Sequence, residues 1–181
     1  MKRPALYDVA AAVRNITYEQ PLPSNRVAEI ATPYRGNGQP VEGGPHTYPE
    51  MSPAGLWTTA SDLARYAIEV QQSLLGRANR VLSAAMTREM LTPRFPYQGL
   101  GPGVAGSAKH PYFGHDGGNE GYECDLLAYN DGDGAVVMTN SDTGDELIHQ
   151  ILETIAYEYG WPGRRPRNAQ LSQWTLIHSM H

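Results

Sequence analysis

In FGHDGGNEGY, residues 113–122, a histidine stands among glycines beside a strand-like run. Imidazole is the side chain that ordinarily changes charge near neutral pH, so His115 is the first candidate for moving a proton or meeting a charged substrate group. Gly117 and Gly118 lack a Cβ, which lets a backbone approach a ligand closely or turn sharply. Asn119 and Glu120 follow as polar groups within reach of anything bound there. A plainer reading fits the same residues: a strand-end histidine, two turn glycines and an exposed loop.

Other chemistries find less to work with. Nine serines occur, at 24, 52, 61, 73, 83, 107, 141, 172 and 179, and none has a lysine three residues on. Ser107 comes nearest, with Lys109 two residues later, and no tyrosine or serine is followed at two residues by asparagine. A hydroxyl with no base beside it is a weak nucleophile near neutral pH. Cys124 is the single cysteine, so there is no internal disulfide, and its place in a strand pattern reads as a buried thiol. His178 and His181 share a metal-pair spacing without a third ligand, and His110 with His115 is no better, so no metal is expected. Tyr122 reads as cross-strand packing, Trp57 as a core anchor and Asp62 as part of a helix cap.

These residues need elements to hold them. Tyr122, Cys124, Leu126 and Ala128 alternate with Glu123, Asp125, Leu127 and Tyr129, the period of a strand. Asn130 to Gly134 is a turn and residues 135–140 return antiparallel. Thr59 with Asp62 marks a helix start, Leu63, Ala67, Val70 and Leu74 give its stripe, and Gly76 its stop. A shorter helix covers 83–91, with Met86 and Met90 as core filler. A third runs over 143–159, with Leu147, Ile148, Ile151, Leu152 and Ile155 as its buried stripe and Gly160 as its end. The expected fold class is α+β: an antiparallel sheet including 112–115, 122–129 and 135–140, the last helix on one face and the other two in a second layer. Residues 1–160 form one domain and 161–181 a tail, whose LSQWTLI suits docking on a surface. Residues 5–18 are weakly amphipathic.

Seven of the fourteen prolines fall between Pro21 and Pro53. Proline has no amide proton for a ladder, so residues 21–55 are expected to be irregular. A stretch that long is uncommon in a compact domain unless something holds it.

The whole chain has 181 residues, 40% hydrophobic and 18% charged, which suits a globular domain with a real core. A net charge of -5 with two lysines excludes a nucleic-acid face. The one dense basic cluster, Arg164, Arg165 and Arg167 between prolines, reads as a solvated linker. No apolar run reaches the roughly 20 residues needed to span a bilayer, and no signal peptide is legible. With Met1 as the natural start, the expected location is cytoplasmic.

Two blocks, PEMSPAGLWTTASDLARYAIEV (49–70) and GLGPGV…YFGHDGGNEGYECDLLAYNDGDGAVVMTNSD (99–142), carry a further pattern. In order and wording they resemble the C-terminal part of the β-lactamase-related serine hydrolases. That family includes class C β-lactamases, penicillin-binding proteins and β-lactamase-like esterases. The resemblance spans residues 17–160. Family members use Ser-x-x-Lys, Tyr-x-Asn or Ser-x-Asn, and a Lys-Thr-Gly-like triplet on an edge strand. His115-Asp116-Gly117 matches the third as a His-x-Gly version, and the first two are absent.

The resemblance implies roles. His115 would share a proton or meet a substrate carboxylate, and the Gly118 amide would form half of an oxyanion hole. Asp116, Gly117 and Asn119 would bind substrate, a small-molecule ester or amide, without a cofactor. It also implies that residues 21–55 would cross a helical subdomain absent from this chain and so lack their bed. The chain alone is then expected to be inactive, its nucleophile coming from an N-terminal segment. The alternative is a non-catalytic binding or assembly module, a homo-oligomer through an exposed strand edge.

Overall fold

The computed structural model describes residues 16–162. Its centre is a sheet of four strands, β1 (Gly103–Gly106), β2 (Pro111–Asn119), β3 (Tyr122–Tyr129) and β4 (Gly134–Thr139), paired in that order and antiparallel throughout. Helices α3 (Ala60–Leu74) and α4 (Ala84–Met90) pack on one side and α5 (Gly144–Glu158) on the other. Two single-turn helices, α1 (Ser24–Val27) and α2 (Met51–Ala54), lie in the proline-rich stretch. The architecture is α+β.

Strand side chains alternate between faces, and both faces of this sheet are covered. Phe113, Leu126 and Ala128 join Val104 and, from α3, Ala67 and Val70. Leu127 and Tyr129 point the other way, onto Ala156 of α5 and Trp161. Residues 126–129 are therefore all buried, and the polar half of the alternation survives only at the start of β3.

The helices start and stop for local reasons. Thr59 Oγ1 accepts the Asp62 amide (3.2 Å) and Ser83 Oγ the Met86 amide (3.2 Å), each filling a free donor at a first turn. Gly76 ends the α3 region at φ +69°, which a side chain would resist. Gln71, almost fully buried, donates from Nε2 to Tyr129 O (2.7 Å) and Asp133 O (3.2 Å), tying α3 to the β3–β4 turn.

Four details differ from the sequence expectation. β2 continues through Asn119 and not only to residue 115, so the histidine and its glycines lie within a strand and not at its end and in a turn. β1 is an additional strand, its residues paired with Pro111–Gly114. On α5 the buried row is Ile148, Leu152 and Ala156, one ridge at i, i+4, i+8, which leaves Leu147 52% exposed. Met86 likewise faces out at 58% exposure, while Met90 packs on the core.

The proline-rich stretch has a bed after all, made by this chain. Glu120 N–H donates to Tyr48 Oη (2.9 Å), Asn119 Nδ2 to Ala54 O (3.0 Å), Tyr122 Oη to Ala31 O (2.7 Å) and Asn140 Nδ2 to Thr32 O (2.8 Å). Glu120 also pairs with Arg35 and His46. Gly121, at φ +81° in the β2–β3 turn, leaves no space for a methyl group, which would stand 2.4 Å from Pro33 Cβ. The stretch is a strap bound across the β2–β3 turn. The histidines at 178 and 181, the arginine cluster, the tail segment LSQWTLI and most of 5–18 lie outside the described residues.

Candidate functional site

The ladder fixes which way each peptide group of β2 points. Asn130 N–H donates to Pro111 O (3.0 Å) and Tyr129 N–H to Asp133 O (2.7 Å). In antiparallel pairing such groups alternate along a strand. With the observed register, 113, 115, 117 and 119 turn their N–H and C=O toward β3, while 112, 114, 116 and 118 turn theirs away. β1 covers 112 and 114, because its pairing ends at Gly103 opposite Gly114. From His115 to Asn119 the edge is open, and the amides of Asp116 and Gly118 face outward.

That edge borders a cavity of about 1030 Å³. Its other walls include Trp57, Leu63 and Tyr66 from the α3 side and Leu100 to Pro102 from the loop before β1. His115 and Gly117 share the sheet face of Phe113 and Cys124. His115 is exposed, and its Nδ1 meets Asp116 O. A carbonyl only accepts, so Nδ1 carries the proton and a neutral ring leaves Nε2 as an acceptor. Asp116 contributes its backbone to the cavity wall. Its side chain, one residue out of phase, lies on the α5 face, where Asp116 is paired with Asp125.

The five residues singled out by sequence thus occupy one strand but do different things. His115, Gly117 and the Gly118 amide stand at the open edge. Asn119 is held by the strap through Ala54. Sequence reasoning missed several neighbours. Trp57 lines the cavity and meets Tyr122 edge-on, ring centres 5.9 Å apart. Cys124 lies directly across from Gly117 and also lines the cavity. Glu123 lies across from Gly118, and a methyl group on Gly118 would be 3.0 Å from its carboxylate oxygen. The two-residue turn Glu120-Gly121 already fixes this register, so those pairings were available from the sequence.

None of these neighbours is an activated nucleophile. Burial, and then the carboxylates of Asp125, Glu123 and Asp116, push the Cys124 thiol up, which keeps it protonated. Burial pushes Tyr122 up to about 12, and its hydroxyl is donated to the strap. Among the described residues the one serine on the cavity wall is Ser52, and no lysine lines it. No three described side chains form a metal-binding group, and no described helix is long and apolar enough to cross a membrane.

No protein-family model matches the chain, and no curated protein matches its sequence. Solved structures do match. The crystal structure of SurE superposes with a TM-score of 0.53 at 20% identity, over 67% of this chain and 31% of that one. A penicillin-binding protein from Bacillus halodurans superposes with a TM-score of 0.52 at 21% identity, over 74% of this chain and 42% of that one. The fold is thus like part of a penicillin-binding-protein fold, and this chain spans less than half the length of either match.

Proposed function

We propose that the chain is the C-terminal portion of a β-lactamase-like serine hydrolase that transfers acyl groups from an ester or amide. In this reading the open stretch of β2 is one wall of the pocket. The Gly118 amide donates to the oxyanion, and Gly117 permits close approach. His115 presents Nε2 to the substrate or to a proton in flight, and the outward peptide group of Asp116 meets the substrate beside it, while Asn119 holds the strap that closes that end of the edge. The attacking hydroxyl and its base come from another polypeptide segment. The observation that carries this reading is the outward Gly118 amide on an edge that β1 leaves uncovered, facing an open cavity. A donor fixed at such a place stabilises a developing oxyanion without reorganisation.

The test uses the chain with a chromogenic ester and with a β-lactam, followed by intact mass, alone and after adding a segment bearing Ser-x-x-Lys and Tyr-x-Asn. The expected result is no turnover or adduct alone, and restored turnover that falls when His115 becomes alanine. An acyl-serine on the isolated chain would overturn the reading.

A second reading rests on β4. The same alternation turns the peptide groups of Gly134, Val136 and Met138 away from β3, and the strap caps the edge only beyond them, where Tyr34 N–H donates to Asn140 O (3.2 Å). An uncapped edge without proline or charge favours pairing with a second copy, as in a non-catalytic assembly module. Light scattering against concentration separates the two.

A further inference from the structure

β2 guards one point of its own open edge. The peptide groups of Asp116 and Gly118 both turn outward there, about 7 Å apart along the strand. The β1 pairing ends at Gly103 opposite Gly114 and leaves both uncovered. Left bare, they would offer two donors and two acceptors, a pattern that an antiparallel chain matches residue for residue. His115 alters that count. Its side chain reaches round to the Asp116 carbonyl, and Nδ1 donates to that oxygen. A chain drawn in beside β2 must share Asp116 O with the ring or push the ring off it. The bond takes one acceptor and leaves the Asp116 amide, the Gly118 amide and the Gly118 carbonyl as they were.

We infer that His115 sets the specificity of this edge: by holding Asp116 O, it lets an acyl compound pair fully at Gly118 but only through its acceptors at Asp116. The inference rests on the acyl-transfer reading for the kind of ligand, and on the His115 bond for the selection. It names a class, compounds rich in carbonyl oxygens and short of N–H donors, such as esters and depsipeptides, in preference to extended peptides. A peptide N–H brought to Asp116 gives up its bond to water and finds the acceptor taken. An ester oxygen at the same place has no proton to leave unpaired. Leaving a polar group unpaired is how a site discriminates between ligands of nearly equal shape.

Exchanging amides for esters isolates the one N–H concerned. The full chain, labelled with nitrogen-15, is titrated with acetyl-trialanine methyl ester and with analogues in which each alanine N–H in turn becomes an ester oxygen. Shifts of the Asp116 and Gly118 amides give each Kd, and the series is repeated with His115→Ala. That variant frees Asp116 O, so the peptide should bind it roughly fivefold tighter than it binds the unaltered chain. The analogue lacking the N–H that meets Asp116 should bind both chains alike. A measurement without ligand stands beside the titrations. The ring nitrogens of neutral His115 should show the proton on Nδ1 and a bare Nε2, as a bond to a carbonyl requires.

A proton on Nε2 would overturn the inference whatever the titrations give. So would a peptide Kd that is unchanged or weaker in His115→Ala, or an equal gain for every ligand, which would mean that the ring acts by bulk alone. The expected tautomer with no ligand moving the Gly118 amide would overturn the acyl-site reading, and the substrate class with it.

Discussion

Gly117 lies across the β2–β3 ladder from Cys124, and a methyl group added to it would stand 3.1 Å from the thiol sulfur. That spacing is tighter than ordinary contact, so the floor of the candidate site is closed by sulfur against backbone. Gly117→Ala is expected to destabilise the fold by about 1 kcal/mol, with Cys124→Ala relieving part of that loss. Denaturant unfolding of the two single variants and the double variant measures the coupling. Strict additivity would remove the contact from the account.

Tyr122 gives a pH prediction. Its folded value, about 12, lies above the ordinary tyrosine value of 10.0, so between these the native state holds a proton that the unfolded chain has released. Stability from this group is therefore complete below pH 10 and lost as pH rises toward 12. Tyr122→Phe should flatten that alkaline decline while losing about 1 kcal/mol at neutral pH, because the bond to Ala31 disappears. Thermal melting from pH 8 to 11.5 reads both effects.

Glu120 fastens the strap through Arg35, His46 and the Tyr48 hydroxyl. The last contact uses its backbone and survives Glu120→Gln. That variant should leave global stability within about 1 kcal/mol, as expected for partly exposed ion pairs, yet speed tryptic cleavage at Arg35 severalfold. Unchanged cleavage would mean the strap is held by its backbone and tyrosine contacts alone.

Much of this arrangement was legible in the sequence, for identifiable reasons. Thr59, Ser83 and Gly76 sit where helix ends require them, and the β3–β4 hairpin follows from period two and the Asn-Asp-Gly turn. β1 was not legible, because GVAG offers a single β-branched residue and gains its strand form from pairing with β2. The strap was not legible either. Its anchors join residues such as Asn119 and Ala54, or Asn140 and Thr32, that no local pattern links. The side-chain names at the candidate site were readable, but their direction was not. Which amides face the cavity depends on the ladder bonds, which gave Gly118 its outward N–H, and the partner of Asn119 is a strap carbonyl 65 residues earlier in the chain.

The two leucines of α5 separate pattern from packing. Leu152 is buried at 1% exposure and Leu147 is half exposed. Leu152→Ala should lose about 2–5 kcal/mol and Leu147→Ala about 0.5 kcal/mol or less. Equal losses in urea unfolding would mean that α5 is rotated from the orientation described.

The β4 edge offers a last test. Met138→Lys places a charge on the β4 edge, the only long uncapped edge described besides that of β2, at a side chain already 40% exposed. If copies associate there, the variant should be monomeric at concentrations where the parent chain is not. Association that persists in the variant would place the contact elsewhere.

The brevity of β1 also acts as a measure of length. Five residues of β2 remain uncovered, about 16 Å of extended backbone. A chain laid beside them meets Gly103 at one end and the strapped turn at the other. Only two outward peptide groups, those of Asp116 and Gly118, are within its reach. The groove therefore has space to recognise the tip of a polymer or a small compound, and too little to grip a filament passing through.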